Sequence, residues 1–263
     1  MSVFVHDGIH FHYEVRGKGE PIILLHGQGG SLHQPEGLID ELEGYSLNFL
    51  DQRAHGETDI QDFRSLTFEK MASDVIALAD ELGFEQFIVG GISMGAAVSV
   101  QLVLRYPERV KKLVLIRCAW LDRSMEKRIQ EWHRDVAIYL LQENGKEKYK
   151  KTESYQQVCA EAPMLANTFM RMFEEKSSLD YPEKYLLIPL QQPMEKLSDL
   201  EQISVPVLVL ANRQDTVHPY EYGEIYQSYL RKGIFHEITS KLIDGEKHRE
   251  EVNQFLKEFL ETK

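Results

Sequence analysis

The spacing of apolar and polar positions changes several times along the chain, and each change marks an element. Residues 2–6 (SVFVH) and 9–15 (IHFHYEV) alternate with period two on either side of Asp7-Gly8, a hairpin pattern with its turn chemistry in place. Gly17-Lys18-Gly19 interrupts the chain. PIILL (21–25) follows as an unbroken apolar run, as expected of a strand buried on both faces. A helical stretch around Leu38 to Leu42 separates it from a second such run, YSLNFL (45–50). From Leu66 the period lengthens. Phe68, Met71, Val75, Leu78, Ala79 and Leu82 recur at three and four residues, and Gly83 closes the segment as a helix C-terminal glycine. A strand (QFIVGGI, 86–92), a helix stopped by Pro107, and a further strand (KKLVLIRC, 111–118) come next. Strand, helix, strand, helix in that order predicts an α/β protein with a parallel sheet and right-handed crossovers.

Residues 119–203 depart from this pattern. They are rich in Glu, Lys, Gln, Met and Tyr, keep helical spacing throughout, and are punctuated by Pro163, Pro182, Pro189 and Pro193. Alternation resumes at VPVLVLANR (205–213), then a helix near 220–230, a strand IFHEITS (234–240), and a last helix with Val252, Phe255, Leu256 and Phe259 on one stripe. The expected organisation is a core of residues 1–118 and 204–263 with a helical insertion, 119–203, between two strands of one sheet.

Composition narrows the function. A chain of 263 residues is long enough for one large α/β domain with an insertion, or for two small ones. Its formal net charge of −12 argues against a nucleic-acid partner, whose phosphates require clustered Lys and Arg. Two cysteines, Cys118 and Cys159, are too few for a disulfide framework and lack metal-type spacing. The first residues show no secretory pattern, and Phe87 to Leu104, the stretch nearest to a membrane span, is broken by Gly, Ser and Gln. The expectation is a cytoplasmic protein without a membrane partner, monomeric or homodimeric.

The chemistry concentrates at Gly91-Ile92-Ser93-Met94-Gly95, a G-x-S-x-G nucleophile elbow lying between an apolar strand and a helix, where such a motif has to lie. Small residues two before and two after the serine let strand and helix approach, so that Ser93 Oγ stands above the sheet at a helix N-terminus. His26-Gly27-Gln28-Gly29-Gly30 directly follows another strand, and the N–H groups of Gln28 and Met94 are the expected oxyanion donors. A serine needs a base, and the base needs an acid to fix its tautomer. Asp215, in the turn after VPVLVL, is the candidate acid, with Asp244 and Asp122 as competitors. His248, after the last strand, is the candidate base. Of the other histidines, His6, His10 and His12 belong to the hairpin, His236 lies along a strand, and His218 reads as a surface residue opening a helix.

With Ser, Asp and His in that chain order, the sequence resembles an α/β-hydrolase of the lidded carboxylesterase, lactonase and haloperoxidase-like group. It shares Asp51-Gln52-Arg53-Ala54-His55-Gly56-Glu57-Thr58, similar to the family's D-x-R-G-x-G-x-S stretch, and Tyr106-Pro107-Glu108-Arg109-Val110 ahead of LVLI. It departs at Ala54, where the family usually has glycine, and at Lys247, where glycine usually precedes the triad histidine. The resemblance implies a mostly parallel eight-stranded sheet with an antiparallel N-terminal strand, helices on both faces, and a helical lid formed by the insertion. It implies a serine hydrolase acting on a small-molecule ester or lactone through an acyl-enzyme, with no cofactor and no metal. A C–C bond hydrolase, a cofactor-free perhydrolase and a slowly turning ligand sensor acting through a partner are the alternatives. Trp120 and Trp132 are candidates for the substrate pocket. Arg117, at a strand end, is a candidate either for a substrate carboxylate or for an ion pair with an acidic residue such as Asp122.

Overall fold

The computed structural model describes residues 2–262. Its elements, in chain order, are β1 (Ser2–His6), β2 (Ile9–Gly17), β3 (Glu20–Leu25), α1 (His33–Leu38), β4 (Tyr45–Leu50), α2 (Phe68–Glu81), β5 (Phe87–Ile92), α3 (Met94–Arg105) and β6 (Val110–Ile116). The helices α4 (Lys127–Leu140), α5 (Gly145–Tyr149), α6 (Glu153–Glu161), α7 (Pro163–Met172), α8 (Lys176–Asp180) and α9 (Lys184–Leu187) follow. The chain then returns through β7 (Val207–Ala211), α10 (Tyr220–Tyr229), β8 (Gly233–Glu237) and α11 (Gly245–Glu261).

One eight-stranded sheet runs β1-β2-β4-β3-β5-β6-β7-β8. The strands from β4 to β8 in that order are parallel, and β2 pairs antiparallel with both β1 and β4. The β1–β2 turn uses positive φ at Asp7 (50°) and Gly8 (75°), the conformation that an Asp-Gly pair adopts at least cost.

Because successive side chains leave a strand on opposite faces, the sheet has two cores. Ile23 and Leu25 of β3 and Val207 and Val209 of β7 join the core under α2, α3 and α10. Ile22, Leu24, Leu208 and Leu210 face the opposite side, where α1 and α11 pack. The unbroken apolar runs are thus strands covered on both faces. The helix expected around 38–42 lies earlier, at 33–38, where Pro35 fits the first turn, and Ile39 leaves it in extended conformation.

The helical segment between β6 and β7 is tied to the core by a buried cation. Lys184 Nζ, fully enclosed, donates to the carbonyl oxygens of Ala54 (2.7 Å) and Ser177 (2.9 Å). Burial pulls this ammonium down to about 7. The acceptor loop at 51–58 is itself fixed: the Asp51 carboxylate accepts from Leu32 N (2.7 Å) and Glu57 N (2.9 Å). Ala54 sits at φ 62°, a conformation that favours glycine, the residue expected there from the resemblance.

Candidate active site

Ladder registers bring three strand ends side by side. Ile92 pairs with Ile116 and Ile116 with Leu210, so the residues leaving β5, β6 and β7 share one edge of the sheet. Ligands in open parallel sheets bind at this carboxyl edge. Ser93 follows β5, Arg117 follows β6, and Asp215 and His218 follow β7.

Ser93 is held at φ 56°, ψ −109°, outside the regions an L-residue prefers, a strain of about 1–3 kcal/mol. Close packing imposes it. A Cβ on Gly91 would overlap the backbone of Gly95, and one on Gly95 would overlap the backbone of Leu25. The strand, the turn and α3 fit only because both positions are glycine. Backbone bonds from Ser93 N to Ile116 O (2.9 Å) and from Ala97 N to Ser93 O (3.1 Å) lock the bend. The Ser93 hydroxyl accordingly stands, half-buried, at the start of a twelve-residue helix whose first N–H groups have no intrahelical partner.

The imidazole that meets Ser93 belongs to His218. Its Nε2 is 2.8 Å from Ser93 Oγ and its Nδ1 is 2.9 Å from Asp215 Oδ2. The local cause is a turn built by Asp215, whose Oδ1 accepts from the backbone N–H of Val217 and His218, each at 3.2 Å. That turn swings His218, three residues on, back over its own aspartate before Pro219 leads into α10. The expectation that His218 opens the helix is therefore corrected.

The expectation that His248 approaches Ser93 is corrected as well. Asp244 caps α11, accepting from Lys247 N (3.0 Å), so the helix starts at Gly245 and takes His248 into its first turns. The ring is fully buried, its Nδ1 donates to Thr239 O (2.7 Å), and its Nε2 has no partner among the described residues. Burial lowers it to about 4. Asp244 is thus a helix cap, and Asp122 pairs only with its neighbour Arg123 among the described residues.

Arg117 ends β6 at φ 56° and is bonded to Asp215, not to Asp122. Its Nε and Nη2 donate to Asp215 Oδ2 at 3.1 and 2.7 Å. Nη2 also stands 3.1 Å from His218 Nδ1. The His218 tautomer follows from the charges. A carboxylate oxygen at 2.9 Å favours a proton on Nδ1, and Nε2 is then the lone-pair acceptor facing the Ser93 hydroxyl. Burial pushes the Asp215 carboxyl up, but the charges and hydrogen bonds of His218 and Arg117 outweigh it and hold the group well below the usual carboxylate range. His218 is lowered, by burial first and by Arg117 and Lys241 after it, with Asp215 opposing.

The loop at 26–30 lies against the nucleophile: a Cβ on Gly27 would be 3.4 Å from Ser93 Cβ. Gly27 N is engaged by Gln34 Oε1 (2.6 Å). The backbone N–H groups of Gln28 and Met94 have no partner among the described residues. The helical segment overhangs this loop, since a Cβ on Gly29 would be 3.0 Å from both Met172 Cε and Tyr185 Oη, and Gln28 Nε2 donates to Lys184 O (3.3 Å). Trp120 and Trp132 are buried in the core. Trp120 stands edge-on to Phe68 and Trp132 lies under Arg128. His133 of α4 is buried too, with Nδ1 on Ile129 O (2.8 Å).

Elsewhere, Glu14, His33 and Glu36 bring three potential ligand atoms within 4.8 Å of one another. Glu36 is already paired with Arg16 and His33, so the group is satisfied as an ion-pair network. Two open grooves flank α2, lined by His6, Ser73 and Tyr106 and by Phe84 and Arg109, away from the carboxyl edge. No helix is long and apolar enough to cross a membrane among the described residues.

A family model described as alpha/beta hydrolase fold matches residues 20–248. The chain is 27% identical over 234 residues to the AB hydrolase superfamily protein YisY of Bacillus subtilis, covering 83% of this chain and 81% of that protein. Among solved structures it is similar to the enol-lactonase from Burkholderia xenovorans (TM-score 0.77, 18% identity, 99% of this chain and 100% of that one). It is also similar to a thermophilic esterase from Thermogutta terrifontis (TM-score 0.74, 22% identity, 98% and 97%).

Proposed function

Because the chain belongs to the alpha/beta hydrolase fold family, we propose that it cleaves a carboxylic ester or lactone of a small molecule through an acyl-enzyme on Ser93, with His218 as general base and Asp215 orienting it. The observation that carries this reading is the 2.8 Å contact between Ser93 Oγ and His218 Nε2, continued at 2.9 Å to Asp215. These distances suit proton transfer.

Ser93 Oγ attacks the acyl carbon as its proton passes to His218 Nε2, and the Asp215 carboxylate stabilises the imidazolium. The carbonyl oxygen becomes an oxyanion, held by the free N–H groups of Gln28 and Met94 at the start of α3. When the tetrahedral adduct collapses, His218 returns the proton to the leaving oxygen. Water then repeats the sequence on the acyl-enzyme and frees Ser93. The helical segment 119–203 acts as the lid over this edge. Its bonds to the loop at 26–30 and to Ala54 support that role.

Intact-mass measurement after mixing with a small panel of 4-nitrophenyl esters tests the reading. The expected result is a transient acyl adduct and steady nitrophenol release, both absent in Ser93→Ala. Turnover that persists in Ser93→Ala refutes it.

The bond from Arg117 to Asp215 favours one second reading, a slowly turning ligand sensor on the same fold. A cation on the orienting carboxylate weakens its support of the imidazolium and with it the base. A single stoichiometric burst without turnover identifies that case.

A further inference from the structure

The charges around the proposed triad bear on what the substrate carries, an inference that rests on the hydrolase reading above. Strand β8 runs parallel to β7 in the register Leu210–His236 and Ala211–Glu237, so the chain beyond Glu237 leaves the sheet on the edge that carries Asp215 and His218. Ser240 shapes that segment: its carbonyl accepts from Ile243 N (2.9 Å) and Asp244 N (3.1 Å), and its hydroxyl from Leu242 N (3.3 Å). Lys241 rides on this turn at the surface, packed closely enough that burial draws its ammonium down to about 8. It forms no ion pair within 4.0 Å among the described residues.

The charges that act on Lys241 are Arg117 and Arg171, which repel it, and Asp215, which attracts it. Lys241 acts in turn on His218 and on His248. Arg171 stands at the end of α7, beside Met172, which overhangs Gly29. From β6, from the insertion and from the last loop, Arg117, Arg171 and Lys241 thus bring three cations to one neighbourhood, where the first is bonded to Asp215, in a chain whose formal net charge is −12. Arg117 has spent Nε and Nη2 on Asp215, while Nη1 makes no hydrogen bond among the described residues.

This excess is unfavourable to the reaction as it stands. Each proton that His218 takes from Ser93 adds another positive charge beside Arg117 and Lys241. An anion on the substrate removes the penalty. We propose that the acyl substrate carries a free carboxylate, bound by Lys241 and the free Nη1 edge of Arg117. Two donors from two side chains match the two oxygens of a carboxylate, and the charge-assisted bonds fix the ester over Ser93. The bound anion also offsets the local positive potential when the imidazolium forms, so it raises kcat as well as affinity.

Methyl hydrogen glutarate and methyl valerate share chain length and leaving group and differ in the terminal carboxylate. Release of methanol from each gives the ratio of kcat/KM. The expected preference for the hemiester is about tenfold or more, the effect of one favourable charge contact. It falls in Lys241→Gln, inverts in Lys241→Glu, and persists in Lys232→Gln, a lysine at the opposite end of β8. A ratio near one in the unmodified protein, or a ratio unmoved by Lys241→Glu, overturns the proposal while leaving the hydrolase reading intact.

Binding to Ser93→Ala, which requires no turnover, tests the anion site independently of the reaction. Calorimetric binding of methyl hydrogen glutarate that weakens about tenfold when Lys241→Gln is added supports the site, and equal binding overturns it.

Discussion

The choice of base gives the sharpest prediction. His218→Asn keeps a polar side chain of similar reach beside Asp215 but removes the nitrogen 2.8 Å from Ser93 Oγ. Without a proton acceptor the serine remains a neutral alcohol, and members of such a unit each account for almost the whole effect when removed alone. The expected loss in kcat is about 10⁴–10⁶-fold, or about 5–8 kcal/mol of transition-state stabilisation at 1.36 kcal/mol per decade. His248→Asn is the matched comparison. Its ring serves a buried hydrogen bond to Thr239 O inside α11, so its removal costs about 1–3 kcal/mol of folding stability and leaves turnover of the folded protein within about tenfold. The assay is 4-nitrophenyl ester hydrolysis per mole of folded enzyme, with circular dichroism melts of both variants at the assay temperature. Near-normal turnover in His218→Asn, with a thousandfold loss in a folded His248→Asn, refutes the assignment.

Three other outcomes follow from the same geometry. Arg117→Met removes a cation that lowers His218, so its pKa rises; because the base must be neutral, the acid limb of the kcat/KM profile moves to higher pH, and a limb that stays or falls contradicts the shared carboxylate. Gly91→Ala puts a Cβ into the backbone of Gly95 and forces β5 and α3 apart, at a cost of about 3 kcal/mol or more. That lowers Tm by about 6–12 °C with loss of turnover, and a wild-type Tm in a calorimetric scan contradicts the packing. Lys184 titrates at about 7 when folded, against about 10.4 in an unfolded chain. Between those values the unfolded state binds more protons, so this group's contribution to stability is complete above the unfolded value and is lost as pH falls towards 7. The Tm of the wild type relative to Lys184→Met therefore grows from pH 7 to pH 10, and a constant difference contradicts a depressed ammonium.

Local pattern was enough to read the hairpin at Asp7-Gly8, the doubly covered strands and the serine turn, because each depends on neighbours within a few residues. The apolar runs 21–25, 45–50 and 86–92 announce burial on two faces wherever they end up. Gly91 and Gly95 announce a close approach of strand and helix around Ser93. Asp215 is legible from its place just beyond an apolar strand. Its bond to Arg117, 98 positions away, is not, because that depends on which strand ends lie side by side.

The missed histidine shows where local reading stops. Two chain segments competed for Ser93, and each was settled by a short-range carboxylate whose effect had to be combined with the whole sheet. Asp244 caps α11 and draws His248 into it, whereas Asp215 folds the segment after β7 into a turn that delivers His218. The Asp-x-x-His-Pro spacing was a visible signal for that turn. Yet the 2.8 Å contact spans 125 positions and exists only once the registers of β5, β6 and β7 have aligned their carboxyl ends. The sequence by itself determined the alternating fold, the sharp turn at Ser93 and the place of Asp215 just beyond its strand. Only tertiary structure decided which imidazole reaches that serine and which cations surround it, because proximity between distant residues is a property of the assembled sheet and not of any stretch of chain.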